Sequence, residues 1–131
     1  MIKNKIIVSI LLILSSYCSS VAQNDVTNEF MRHVIASDFK GILELCSDFV
    51  EIETDEHEET TSKSQVGFIL KEFFVNHPPR SFDYNHIGTS PGGAKYAIAS
   101  YFSEKGKEFL VVVKFKVHGG KLLIDTIKFS P

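Results

Sequence analysis

Tyr84 and His86 stand two residues apart in the segment SFDYNHIG, residues 81–88. On an extended strand, side chains two apart share a face, so a phenol and an imidazole here are expected to point into one cavity. Asp83 lies between them and offers a second base. A base beside a phenol donor is the minimum for general acid–base chemistry. His33 and Tyr96 complete the candidate pocket, which is His33, Tyr84, His86 and Tyr96. His33 also sits beside the apolar face of a helix, where a core-edge histidine with one hydrogen bond is the competing reading. No catalytic motif occurs in the chain. No catalytic residue is therefore assigned, and a non-enzymatic module is preferred over an enzyme. The alternative is a small pocket enzyme using Tyr84 with His86 or Asp83.

Two other stretches carry reactive groups. Thr54-Asp55-Glu56-His57-Glu58-Glu59 is an acidic run with one histidine. Its spacing matches neither a calcium loop nor a His-Glu-x-x-His helix, so it reads as a solvated turn, and no metal or cofactor is assigned. Cys46 falls at helical spacing with Phe39, Ile42 and Leu43, as a small buried apolar group would.

The elements that hold these groups follow from periodicity. Val26, Phe30, His33 and Val34 form one helical stripe, which is capped at Asn24-Asp25 and ends near Ala36. Ser37-Asp38 starts a second, short helix. Phe49–Glu53 alternates as a strand, and a short return strand passes through Thr60 and Thr61. Ser62-Lys63-Ser64-Gln65 fits a capping box for a third helix, with Phe73 and Phe74 on its core stripe. Gly67 within that helix implies close packing. Pro78-Pro79 ends it.

Three more strand segments follow, and the last pair is the most regular. In FLVVVKFKVHGGKLLIDTIKF, residues 109–129, Gly119-Gly120 suits a two-residue hairpin turn. Val117 then faces Leu122, Phe115 faces Ile124 and Lys114 faces Asp125. In that register Leu110, Val112, Ile127 and Phe129 share the face that bears the lysines. Such a two-sided apolar hairpin implies helices on one face with another subunit or a ligand on part of the second, a sheet curled around a pocket, or a sheet edge buried by a terminal helix; a homodimer through the sheet is one of these. The order α-α-β-(β)-α-β-β-β-β is the α+β class, a curved antiparallel sheet packed on a three-helix arm.

The chain has 131 residues and a formal net charge of −2. It has no basic patch, which excludes nucleic acid as a partner on electrostatic grounds. Residues 1–22 read as a signal peptide: Lys3 and Lys5, an apolar run from Ile6 to Leu14, then Ser20-Val21-Ala22 before Gln23. The run is too short for permanent membrane insertion, which needs about 20 residues. Cleavage near Ala22-Gln23 would place residues 23–131, a single domain, in the periplasm or outside the cell. Lipidation at Cys18 is disfavoured by the bulky Tyr17 before it.

Three segments carry a family resemblance: Phe73-Phe74; Pro78-Pro79-Arg80-Ser81-Phe82; and Gly92-Gly93-Ala94-Lys95-Tyr96-Ala97-Ile98. With them, residues 25–129 resemble the small bacterial secreted proteins of domain-of-unknown-function family 4783. That likeness implies the nuclear-transport-factor-2-like fold, a cystatin-like cone of curved sheet around helices. It implies no activity. The wider superfamily includes isomerases and dehydratases with an Asp base and a Tyr donor inside the cone. No position of this chain matches their motifs one by one. The expected function is an uncharacterised secreted module that binds a small molecule or a protein.

Overall fold

The computed structural model describes residues 25–131. The expected signal peptide lies outside the described residues. Among the described residues, no helix is long and apolar enough to cross a membrane.

The helical arm is α1 (Asp25–Ile35), α2 (Phe39–Glu44) and α3 (Lys63–Asn76). Ser37 makes the bend between α1 and α2 at φ 54°, in the left-handed region that ends many helices. Asp38 then caps α2, its Oδ1 accepting from Gly41 N at 3.0 Å. The capping box expected for α3 does not form. Ser62 occupies the N-cap position without a side-chain cap bond, and its hydroxyl meets Ser64 Oγ at 3.2 Å instead. Gly67 packs where expected, since a Cβ there would come within 2.9 Å of Leu43 Cδ1.

Six strands form one curved sheet: β1 (Cys46–Glu53), β2 (Glu58–Ser62), β3 (Pro79–Thr89), β4 (Lys95–Ser103), β5 (Glu108–His118) and β6 (Lys121–Ser130). The spatial order is β2-β1-β6-β5-β4-β3. Neighbours run antiparallel except β1 and β6, which are parallel. The β5–β6 turn has φ 57° and 79° at Gly119 and Gly120, as a two-glycine hairpin requires.

Two β-bulges decide which side chains face inward. The register Val117↔Leu122 and Phe115↔Ile124 holds, but a shift follows between Lys114 and Phe115. Lys114 therefore lies opposite Thr126, and Asp125 pairs with Lys116 at 3.2 Å instead. One extra residue reverses the facing of everything beyond it. Ile127 and Phe129 thus turn inward and are fully buried, correcting their expected place beside the lysines. Leu110 and Val112 remain on the outer face.

The concave face is filled by aromatic rings. Phe73 of α3 stacks on Phe129 at 4.2 Å between ring centroids. It also meets Phe109 at 5.1 Å and Tyr101 at 5.4 Å. Phe30 of α1 reaches Phe82 at 6.0 Å. Cys46 is buried among these elements, and its thiol donates to Ile42 O at 3.3 Å. Burial pushes that thiol up to about 12, which leaves it protonated and a poor nucleophile near neutral pH.

Candidate functional site

A second bulge, between Tyr84 and His86, breaks the expected pocket. Tyr84 lies opposite Ala99 on the inner face, whereas His86 lies opposite Ile98 on the outer one. The Tyr84 hydroxyl donates to the Thr27 carbonyl at 2.6 Å, and its ring packs edge-on against Phe82 at 5.0 Å. Burial raises its pKa, so it stays a neutral phenol tying α1 to β3. His33 is elsewhere again. Its Nδ1 lies 3.1 Å from Asp38 Oδ2, inside the bend of the arm. Gly41 sits so close that a Cβ would fall 2.3 Å from that nitrogen. His33 is thus accounted for as part of a clasp at the bend.

His86 and Tyr96 do come together, on the outside. His86 Nε2 is 3.0 Å from Tyr96 Oη, and the Tyr96 ring covers Gly88, where a Cβ would come within 2.6 Å of it. They border an apolar surface built in rows across β3, β4 and β5. The strand registers set Phe102 beside Glu108, then Asp83, Ser100 and Leu110 in line. Next come His86, Ile98 and Val112, and then Gly88, Tyr96 and Lys114. Leu110 is 48% exposed and Phe102 37%. Phe49, 67% exposed, extends the same face onto β1, beyond the Lys128–Glu51 ion pair. Alternation explains the surface: Phe109, Val111 and Val113 fill the core, so Leu110 and Val112 must face outward. Sequence periodicity marked Leu110 and Val112. It missed their β3 row partners, because those depend on the bulge at Asn85.

The charges of this face are sorted by end. Glu108 stands at one end of β5, and Lys114 and Lys116 stand at the other. A hollow of about 240 Å³ lies at the lysine end, between Ser90, Tyr96 and the lysines.

Titratable side chains also converge near the β1–β2 turn, where Asp55 Oδ2 lies 2.8 Å from His77 Nε2 and 3.8 Å from Lys107 Nζ, and where a second group stands beside it. Glu56, His57 and Glu72 place one ligand atom each within 4.8 Å of one another, a geometry able to hold a cation. His57 Nε2 is 3.2 Å from Glu72 Oε2. Hydrogen bonding from Glu56 and His57 holds Glu72 below the usual carboxylate range. The same bond to Glu72 holds Glu56 above it. Nothing in the run Thr54–Glu59 signalled this, because Glu72 arrives from α3.

A family model described as "Domain of unknown function (DUF4783)" matches residues 24–130. The chain belongs to the DUF4783 family. Crystal structures of DUF4783 proteins agree with the fold. The one from Bacteroides uniformis superposes with a TM-score of 0.72 at 18% identity, covering 79% of this chain and 94% of that one. The one from Bacteroides fragilis gives 0.71 at 17% identity, covering 78% and 94%. An NTF2-like protein of unknown function from Burkholderia xenovorans gives 0.59 at 19% identity, covering 81% and 80%. At these identities the likeness is one of fold. Among curated proteins, no sequence matches. This DUF4783 chain thus has the expected α+β, NTF2-like architecture.

Proposed function

We propose that this DUF4783 protein is a non-enzymatic interaction module that works from the outer face of its sheet, with a second copy of itself as the partner. The observation that carries this reading is the self-complementarity of that face. Turn one copy end over end about an axis across its strands and lay it on another. Glu108 then lies over the partner's Lys114 and Asp83 over the partner's His86. Leu110 lies over the partner's Val112, and Phe102 over the partner's Tyr96. Glu108 and Lys114 then meet as opposite charges, and Leu110 with Val112 and Phe102 with Tyr96 meet as apolar contacts, while Lys128 keeps Glu51 of its own chain; this is the isologous arrangement a two-fold dimer needs. His86 uses Nε2 on Tyr96, which leaves Nδ1 for the partner's Asp83.

Area bounds the contact without fixing its strength. Three to four strands about 4.8 Å apart, over seven residues of about 3.4 Å, cover roughly 340–460 Å² per copy. The total, roughly 700–900 Å², falls below the standard interface class of about 1,200–2,000 Å², so a weak association in the micromolar range or above is expected. Sedimentation velocity from about 1 to 200 μM should show a concentration-dependent monomer–dimer equilibrium. A monomer throughout that range would remove the reading.

The alternative, a pocket enzyme using Tyr84 with His86 or Asp83, has less support, because neither base shares a face with the phenol. Its phenol is bonded to a main-chain carbonyl inside, and its imidazole is outside. We further place the mature protein in the periplasm or outside the cell, on the basic, apolar and small-residue sequence of residues 1–22.

A further inference from the structure

The opposite side of the molecule, where the helices lie, carries a second surface that self-association does not use. α2 and α3 cross with a hollow of about 240 Å³ between them. Phe39 and Leu43 of α2 form one wall. Phe68 of α3 forms the other, and Gly67 lets the floor come close. Phe68 is 69% exposed, on the side of α3 away from its buried stripe Val66, Ile69, Leu70, Phe73 and Phe74. Lys40 and Lys71 stand at the rim, and no acidic residue lines the hollow. Among the described residues, the lysines found in ion pairs are Lys107, Lys116 and Lys128; these two are not among them. Ser64 adds a hydroxyl at the α3 N-terminal turn, whose first residues include no acid.

An apolar trough with two unpaired cations at its lip is complementary to one kind of ligand. We propose that this hollow binds a single-chain amphipathic anion of the fatty-acid class. The hydrocarbon tail covers Phe68, Phe39 and Leu43, and the carboxylate lies between Lys40 and Lys71. The tail supplies the affinity through buried CH₂ groups, and the lysines select charge. A neutral chain of the same length would keep the first contribution and lose the second. An anion without a tail would lose the first.

The test is titration of the ¹⁵N-labelled protein with monomeric laurate, read by amide chemical shifts. Leu110→Glu protein serves as a second sample, so that any change in association is separated from binding. Saturable shifts confined to residues 39–43 and 64–71 are expected in both. Dodecanol should bind at least about tenfold more weakly. The K40Q/K71Q double variant, with both changes on exposed side chains, should keep its fold by circular dichroism and lose at least about tenfold in laurate affinity. Absence of saturation by about 1 mM, shifts centred elsewhere, or equal affinity for dodecanol would overturn the proposal. So would unchanged affinity in a folded double variant. Co-sedimentation with phosphatidylglycerol vesicles without a response to laurate would overturn it too, because it would assign the surface to a membrane.

Discussion

Phe73→Ala should cost about 3–5 kcal/mol of folding stability, a large share of the roughly 5–15 kcal/mol a domain has. Phe73 is 3% exposed and is the ring around which the concave face is filled. Its side chain meets Phe74, His77, Tyr101, Phe109 and Phe129, so it joins α3 to β4, β5 and β6 at once. Alanine removes the whole ring, and the surrounding aromatics are held by their own strands. They cannot collapse fully into the space, so the loss includes a cavity cost beyond the transfer of the ring from water. Urea unfolding followed by far-UV circular dichroism measures this, with an unchanged slope and a lower midpoint. Phe68→Ala on the same helix is the control. Its ring is largely exposed, and its removal should stay within about 0.5 kcal/mol. Equal losses at both positions would mean that α3 does not present Phe73 to the sheet.

Leu110→Glu should leave stability almost untouched and weaken self-association by at least about 100-fold, roughly 3 kcal/mol. In one copy Leu110 is half exposed on the outer face of β5, and glutamate there is solvated. Between two copies it would lie over the partner's Val112, where a carboxylate loses much of its water, and Lys128 beside that valine is already held by Glu51. Because the interface is two-fold, each substitution acts twice. Sedimentation velocity gives the association constant and thermal unfolding gives the stability. A loss of both together would place Leu110 in the core rather than at an interface. Unchanged association would move the interface off this face.

The contrast between these two positions shows what could be read from the chain. Lys114 and Lys116 fix the outward parity of β5, so the inward set Phe109, Val111, Val113 and Phe115 was legible, as was the Gly119-Gly120 turn. The stripe Val66, Ile69, Leu70, Phe73, Phe74 gave α3 and its buried face directly. The bulges were not legible. A bulge adds one residue to one strand, and no residue type announces it at Asn85 or Asp125. Each one nevertheless reversed a facing: Ile127 and Phe129 moved inward, and His86 moved outward, away from Tyr84. The candidate pocket depended on that last facing. The parallel pairing of β1 with β6 was equally hidden, since it joins strands far apart in sequence through contacts that local periodicity does not encode. The sorting of charges along the outer face became visible only once registers had put Asp83, His86, Glu108 and Lys114 in rows.

Those rows permit a direct test by reversing the charges at the two ends of β5. Glu108→Lys alone and Lys114→Glu alone should each weaken the dimer about tenfold, since each exposed contact occurs twice. The double variant restores opposite charges across the two-fold and should associate within about twofold of the original protein. Sedimentation velocity on the four proteins decides it. Recovery in the double variant is the expected result. Losses that simply add would contradict the end-over-end stacking of two sheets.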